Sequence, residues 1–268
     1  MAKKSTIQTE KVNDYIVQWL KEYATTAKVN GFVIGISGGI DSALTSILCA
    51  QTGLKVLCVE MPIHQAKSEV SRGREHIKTL KDCFSNVSNI EVDLSATFDA
   101  FKTSVPDDLN LDKLNLSLAN SRARLRMSTL YYLAGIHGLL VAGTGNKIED
   151  FGVGFYTKYG DGGVDVSPIA DLMKSDVYAL SAFLSVSESI LTAAPTDGLF
   201  GDSRTDEEQL GASYDELEEA MLADKAGNTA ENFWGRQQEV FKIYKRLNTI
   251  NQHKMNPIPV CLIPDTLK

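Results

Sequence analysis

The sequence predicts an α/β fold, in which an open parallel sheet is flanked by helices and followed by a helical C-terminal portion. Four short apolar runs alternate with segments of helical periodicity along the first half of the chain. The runs are nearly all apolar rather than alternating, which is typical of parallel strands covered by helices on both faces. Two runs end in glycine-rich polar turns, and ligands of such sheets bind beyond the carboxyl ends of the strands.

The individual elements follow from this pattern. Apolar residues recur at three- and four-residue intervals from Val12 to Tyr23, which predicts a covering helix. We then expect strands over residues 31–36, 55–60, 90–94 and 139–142. The helices between them are expected over residues 41–50, about 69–80 and about 114–136.

The second half of the chain changes character. Residues 152–163 are rich in glycine and aromatic residues and predict a structured loop. Helices are predicted over residues 175–184, 213–222 and about 229–248, the second of them with a capping box. The polar segment 194–211 is open to two interpretations, a mobile lid and a surface loop. Because no repeat or linker divides the sequence, residues 1–268 are predicted to form a single domain.

Composition excludes several classes of protein. The 268 residues are 43% hydrophobic and 23% charged, as in ordinary folded domains. A net charge of −7 opposes nonspecific binding to a phosphate backbone, so no nucleic-acid partner is expected. No apolar run approaches the roughly 18 to 20 residues of a membrane helix, and the N-terminus has no signal-peptide pattern. We therefore expect a cytoplasmic protein with no membrane partner.

The four cysteines predict neither a disulfide framework nor a zinc site nor a redox pair. They show no CxxC spacing, and two of them, Cys49 and Cys58, lie inside apolar segments where a thiol is usually a small core residue.

The turn after the first strand reads Ser37-Gly-Gly-Ile-Asp-Ser42 and predicts a polyphosphate site. Glycines let backbone amides approach phosphate oxygens, and the following helix N-terminus adds partial positive charge. Because Asp41 would repel a phosphate directly, we expect it to bind Mg²⁺ that bridges phosphate oxygens. The alternative is a tight turn with Asp41 as a helix-capping acid. An internal salt link at Asp41 would contradict the metal-ligand interpretation.

This turn fits neither of the two common phosphate-binding motifs. No lysine follows the glycines as the Walker pattern requires, and GxGxxG is absent. The run instead resembles the pyrophosphate loop of the N-type ATP pyrophosphatases, whose Rossmann-like sheet of ATP pyrophosphatase type the resemblance implies. Enzymes of that group cleave ATP between the α and β phosphates and transfer AMP to an oxygen of their substrate.

Downstream segments resemble the ammonia-dependent NAD synthetase family over residues 10 to 260. They are NSRARLRM at 120–127, GTGNKIE at 143–149, YTKYGDGGVD at 156–165, and His253-Lys254. The resemblance implies that ATP is contacted by Gly35, Ile36, Ser37, Gly38, Gly39, Ile40, Asp41, Ser42, Thr144, Lys174 and Thr196. It implies that deamido-NAD is contacted by Asn120, Arg124, Lys158, Asp165, His253 and Lys254. Asp41 and Glu149 would be the magnesium ligands, and Asp41 and Lys174 the catalytic residues.

Other interpretations of these residues stay open. Lys174 is equally a solvated lysine at a helix start, and a lone His253 near a terminus is more often an ordinary surface residue. Arg122, Arg124 and Arg126 alternate along a helix and cannot share one face. The chain has one more residue after Glu149 than some relatives, and its turn reads GNK instead of an Asp-His-Ala type, so Asp150 remains a possible metal ligand in place of Glu149.

The resemblance implies ATP-dependent amidation of deamido-NAD by ammonia through an acyl-adenylate, with Mg²⁺ as cofactor. It also implies a homodimer whose interface forms part of the dinucleotide site, which would account for aromatic residues such as Trp19 and Phe32. Two alternatives are a tRNA-modifying ATP pyrophosphatase and a non-catalytic ATP-binding module. The first would need a basic surface, and its sulfur-transfer form would need paired cysteines; neither is evident.

Overall fold

The computed structural model describes residues 6–65, 67–106, 110–196 and 205–268, with residues 67–70 described by their backbone alone. Residues 197–204 of the predicted lid or loop lie outside the described residues. The strands are β1 (Gly31–Gly35), β2 (Lys55–Glu60), β3 (Val87–Glu91) and β4 (Leu140–Val141). The α-helices are α1 (Thr9–Ala27), α2 (Ile40–Gln51), α3 (Lys67–Cys83), α4 (Ser95–Ser104), α5 (Leu111–His137), α6 (Lys174–Phe183), α7 (Glu188–Leu191), α8 (Asp206–Leu210), α9 (Tyr214–Lys225) and α10 (Gly235–Met255).

The strands form a parallel sheet in the order β3-β2-β1-β4, which confirms the predicted fold class. From β1 the chain builds β2 and β3 on one side and returns to place β4 on the other. The strand order therefore reverses between β1 and β4, where a ligand crevice is expected. Beyond β4, Ala142 pairs in parallel with Val166, a contact that the sequence pattern did not reveal.

Helices cover both faces of the sheet, because successive side chains of β1 point in opposite directions. Phe32 and Ile34 pack with α1, α2 and α6, while Val33 packs with α4 and α5. A third cluster joins α8, α9 and α10 to residues 148–153. Cys49 and Cys58 are buried free thiols, as predicted.

Two aromatic residues assigned to a subunit interface belong to the core instead. Phe32 is fully buried in β1, and Trp19 packs against the same core cluster from α1. Both side chains pack in the core on one face of the sheet, so they give no argument for a partner subunit. That part of the sequence interpretation was wrong.

The third strand lies nearer the N-terminus than the predicted 90–94. It begins at Val87, which pairs with Val56, and Val87 is its one buried residue. As an edge strand, β3 is placed by its backbone pairing with β2 rather than by burial of side chains. The apolar residue Leu94, which favoured the later position, packs in the second core cluster just before α4. Helix α4 itself was not predicted.

The C-terminal elements also differ in their bounds. Residues 148–153 form a π-helical turn, Ile148–Val153, at the start of the predicted loop. The last helix begins at Gly235, whose φ of 53° marks a break after a short 3₁₀ turn, and it continues to Met255 rather than ending near 248. Among the described residues, no helix combines the length and hydropathy needed to cross a membrane.

Candidate active site

A cleft of about 260 Å³ opens at the carboxyl ends of β1 and β4, where the strand order reverses. Ten of the eleven predicted ATP contacts line this cleft, and so does Glu149. The ten are Gly35, Ile36, Ser37, Gly39, Ile40, Asp41, Ser42, Thr144, Lys174 and Thr196. Gly38 lies in the same turn. The structure therefore brings together, from four separate stretches of sequence, residues that the motif of the first turn and the family resemblance had selected.

The turn after β1 is shaped by one glycine and held by its own hydroxyls. Gly38 has a φ of 82°, in the left-handed region that glycine adopts readily. Ser42 Oγ accepts from the amide of Ser37 at 3.3 Å and donates to the carbonyl of Gly39 at 3.0 Å. Helix α2 starts directly afterwards, so its positive end faces the cleft.

Lys174 joins the two predicted metal ligands. Its Nζ lies 2.6 Å from Asp41 Oδ2 and 3.1 Å from Glu149 Oε1. The lysine is 2% exposed, which excludes the interpretation of a solvated lysine at a helix start. Burial by itself would lower the pKa of Lys174, but Asp41 and Glu149 outweigh it and raise that pKa above its usual range, so the lysine stays charged.

Asp41 forms an internal ion pair with Lys174, which the sequence analysis took as an argument against metal ligation by Asp41. That criterion did not distinguish a partner inside the cleft from one elsewhere in the fold, and Lys174 is itself a predicted ATP contact that faces the same cleft. The pair concentrates opposite charges inside the cleft and does not tie Asp41 to a remote part of the fold.

Asn146 connects the turns that follow β1 and β4. Its side chain is fully buried and donates to Asp41 Oδ1 at 3.2 Å. Its own oxygen accepts from the amides of Ile148 and Glu149 at 3.1 and 3.2 Å. Asn146 thus holds Asp41 while fixing the turn that presents Glu149.

Tyr214 is a contact of the cleft cluster that sequence reasoning missed. Its hydroxyl donates to Glu149 Oε1 at 2.7 Å, and its ring centroid lies 4.6 Å from Lys174 Nζ. The capping box at Ser213 located the start of α9 correctly, yet nothing in the local pattern indicates where the next side chain points.

The geometry favours Glu149 over Asp150 as the partner of Asp41. Glu149 shares Lys174 with Asp41, whereas the Asp150 carboxylate lies against Gly145, where an added Cβ would be 2.1 Å from Oδ1. Burial, with a contribution from Glu149, raises the pKa of Asp150 to about 8. A π-helical turn holds one residue more than an α-helical one, which accommodates the extra residue that follows Glu149.

Asp41 and Glu149 suit a magnesium ion by chemistry. Both supply carboxylate oxygens within reach of one buried ammonium group. No group of three or more His, Cys, Asp or Glu side chains with metal-binding geometry occurs in the described part of the chain. Mg²⁺ is usually bound by one or two protein carboxylates that are completed by waters and substrate phosphates, so two carboxylates are a suitable set.

The predicted dinucleotide residues cluster next to the cleft, around residues 154–163. Asn120 accepts from Thr157 Oγ1 at 2.6 Å, and Arg124 donates to the carbonyl of Lys158 at 3.3 Å. Lys158 in turn donates to the carbonyl of His253. This connected set joins the middle of α5 to the end of α10.

Two members of this set make extensive contacts within the chain. Lys254 Nζ donates to the carbonyls of Gly154 and Tyr156 at 2.7 and 2.8 Å. Asp165 accepts from Tyr131 at 3.0 Å and from the amide of Val141 at 2.8 Å. Both side chains therefore also brace the backbone around the cleft.

The three alternating arginines of α5 point in different directions, as predicted. Arg122 stacks over Phe98 at 4.1 Å, and Arg124 is exposed. Arg126 lines the cleft and donates to the carbonyl of Met61 at 3.1 Å. The sequence singled out Arg124, but Arg126 is the one that lies in the cleft itself.

Comparison with known proteins identifies the family of the chain. The sequence profile of the family described as NAD synthase matches residues 12–258. The NH(3)-dependent NAD(+) synthetase of Mesoplasma florum is 37% identical over 244 residues, covering 91% of this chain and 93% of the relative. That of Methanosarcina mazei is 36% identical over 264 residues, covering 94% of this chain and 97% of the relative.

Solved structures agree as well. NMN synthetase from Francisella tularensis superposes with a TM-score of 0.81 at 28% identity, covering 97% of this chain and 99% of that one. NH3-dependent NAD synthetase from Campylobacter jejuni gives a TM-score of 0.77 at 25% identity, covering 96% and 100%. Fold, cleft and sequence relationships converge, and the chain belongs to the NAD synthase family.

Proposed function

We propose that this protein is a ligase that amidates deamido-NAD with ammonia at the expense of ATP, giving NAD, AMP and pyrophosphate. One observation carries the proposal: Asp41, Glu149 and Lys174 meet in a cleft beside a glycine-rich turn. Relatives named NH(3)-dependent NAD(+) synthetases, more than 90% of whose length is matched, support ammonia as the nitrogen source.

The chemistry explains why ATP is required. A nicotinate carboxylate is a poor electrophile, because its charge repels nucleophiles and its oxygen is a poor leaving group. Attack of a carboxylate oxygen on the α-phosphorus forms an acyl-adenylate and releases pyrophosphate. Ammonia then attacks the acyl carbon, and AMP leaves with that oxygen. No protein nucleophile is needed, so the residues act by positioning and charge stabilisation.

Each part of the cleft has a role in this proposal. The backbone amides of residues 35–42 and the start of α2 bind phosphate oxygens, with Thr144 and Thr196 as further ATP contacts. Asp41 and Glu149 hold Mg²⁺, which when bound neutralises charge on the phosphates. Lys174 supplies a fixed positive charge near the departing pyrophosphate, and its burial keeps that charge unscreened by solvent.

The dinucleotide binds, in this proposal, to Asn120, Arg124, Lys158, Asp165, His253 and Lys254. A homodimer with this site at its interface is supported by α5, which carries Asn120 and Arg124 and also exposes Leu116, Tyr132 and Ile136. Large exposed apolar side chains on one helix are typical of a protein interface. Sedimentation of the wild type and of Tyr132→Glu tests this arrangement: we expect a dimer that the variant weakens, and a monomeric wild type would contradict it.

Nicotinate mononucleotide is a second candidate substrate. The Francisella tularensis structure with the TM-score of 0.81 is that of an NMN synthetase. Nicotinate mononucleotide carries the same carboxylate as deamido-NAD, so the same activation by ATP applies to it. The greater sequence identity to NAD synthetases favours the dinucleotide. Comparison of kcat/KM for the two nicotinate substrates decides between them.

A pyrophosphate-release assay tests the proposal as a whole. With ATP, Mg²⁺, ammonium and deamido-NAD, we expect pyrophosphate, AMP and NAD in equal amounts. Omitting deamido-NAD should abolish release. Equal release with and without it would overturn the substrate assignment, release stimulated by tRNA instead would favour a tRNA-modifying enzyme, and ATP binding without turnover would favour a regulatory module.

A further inference from the structure

We propose that Arg72 is an additional substrate-binding residue of this cleft, and that it donates hydrogen bonds to the β and γ phosphates of ATP and to the departing pyrophosphate. Neither the glycine-rich turn nor the downstream motifs pointed to this residue. The inference rests on the proposed function, since it concerns the same ATP site.

Helix α3 brings Arg72 directly onto the phosphate-binding turn. Arg72 Nε donates to the carbonyl of Gly38 at 3.4 Å, and the half-buried side chain lines the cleft. The next residue, Gly73, packs against the same turn: a Cβ there would lie 3.6 Å from the amide nitrogen of Gly38, an ordinary contact distance. The guanidinium is therefore positioned beside the tip of the turn.

No described acidic side chain pairs with the charge of Arg72. Its one described hydrogen bond is long and goes to a neutral carbonyl, and no described carboxylate lies within 4.0 Å of it. By contrast Arg74, two residues later, is 2.7 Å from Glu91 and 3.4 Å from Glu60. In a chain of net charge −7, a cleft arginine that pairs with none of the described carboxylates indicates a site for an anionic ligand.

The position of this charge within the cleft identifies the anion. Lys174 is already flanked by two carboxylates, so much of its charge is compensated within the protein. Arg72 lies at the tip of the turn and offers up to five N–H donors to phosphate oxygens. When the bond between the α-phosphorus and the bridging oxygen breaks, its electron pair goes to pyrophosphate. Arg72 stabilises that added charge through N–H donation, with no proton transferred.

Direct binding measurements on the purified full-length protein test this role. Calorimetry with ATP, pyrophosphate and AMP, each with Mg²⁺ and without deamido-NAD, is compared for the wild type, Arg72→Gln and Arg72→Lys. We expect Arg72→Gln to weaken ATP and pyrophosphate binding about tenfold to a hundredfold, the usual size of a charge-assisted hydrogen bond, and to leave AMP binding unchanged. Arg72→Lys should restore most of the affinity, because it keeps the charge.

Arg74→Gln is the matched control, because it removes the same charge from the same helix outside the cleft. It should bind ATP like the wild type, with folding of every variant checked by its thermal midpoint. Unchanged ATP affinity in Arg72→Gln would overturn the role of Arg72 and leave the proposed function intact. Equal losses in Arg72→Gln and Arg72→Lys would also overturn it and assign Arg72 to holding the Gly38 carbonyl. A wild type that binds no ATP would overturn the proposed function itself.

Discussion

The hydroxyl of Tyr214 donates a 2.7 Å hydrogen bond to Glu149, and its ring lies 4.6 Å from the ammonium of Lys174. One turn further along α9, the buried carboxylate of Glu218 accepts from the amide and hydroxyl of Ser175 at 2.8 and 2.7 Å. Residues four apart lie on the same helix face. One face of α9 therefore orients the carboxylate and the ammonium that meet Asp41.

Removing only the hydroxyl of Tyr214 should weaken metal binding without unfolding the protein. In Tyr214→Phe the Glu149 carboxylate loses its donor, so we expect a several-fold higher Mg²⁺ concentration for half-maximal activity and weaker Mn²⁺ binding by electron paramagnetic resonance. Tyr244→Phe is the control, since Tyr244 is buried in the same hydrophobic cluster but makes no described hydrogen bond to Glu149. Equal Mn²⁺ affinity in both variants and the wild type would refute a positioning role for Tyr214.

Neutralising Asp41 should reduce turnover far more than stability. Asp41→Asn leaves Lys174 paired with Glu149, so we expect a thermal midpoint close to that of the wild type. The loss in kcat should be at least about a hundredfold, as for other losses of transition-state charge stabilisation. Asp171→Asn is the control, because Asp171 pairs with Lys147 on the surface. Near-normal turnover in Asp41→Asn would remove the metal-ligand role.

Gly154 should be intolerant of a side chain, because it faces α10 in a left-handed conformation. Its φ is 66°, and an added Cβ would lie 2.4 Å from Cβ of Asn251. Gly227 has a φ of 83° with nothing within 4 Å of the same atom, so Gly227→Ala reports the backbone cost alone, about 1 kcal/mol. Urea denaturation should show Gly154→Ala to be less stable than Gly227→Ala by at least about 1 kcal/mol. Equal losses would mean that α10 does not pack tightly on this turn.

The buried His76 should make stability fall in mild acid. Its Nε2 lies 2.8 Å from Ser46 Oγ between α2 and α3, and burial lowers its pKa to about 4 from an ordinary 6.5. Below pH 6.5 the unfolded chain binds a proton that the folded chain does not, so stability declines as pH falls toward 4, by up to about 3 kcal/mol. We expect His76→Gln to show a shallower decline over this window in urea titrations. Parallel curves for the two proteins would refute this contribution.

Elements that are marked by buried apolar runs or by local helix caps were predicted well from the sequence, and elements that are placed by backbone pairing were not. Strands β1 and β2 are buried on both faces, so their apolar runs located them well. The edge strand β3 was misplaced, because its pairing with Val56 is a backbone contact that hydrophobicity does not encode. Helix boundaries with a local cap, such as Ser213 before α9, were found to within a residue.

In the site, too, residues within a recognisable motif were predicted and residues brought in by tertiary packing were not. Asp41 and Glu149 lie in motifs with a glycine-rich context, so their chemistry was visible in the sequence. Arg72 lines the cleft and Tyr214 contacts Glu149, both from helices whose local sequence carries no such pattern, and only tertiary packing brings them there. The same holds for Asn146, which was noted as a departure from a family turn but joins that turn to Asp41.

Isotope transfer tests the central reaction most directly. Deamido-NAD labelled with ¹⁸O at both carboxylate oxygens is converted with ATP, Mg²⁺ and ammonium, and the products are analysed by mass spectrometry. We predict one ¹⁸O atom in AMP, one in the amide of NAD and none in pyrophosphate. Label in phosphate or pyrophosphate, or AMP without label, would contradict adenylation of the carboxylate.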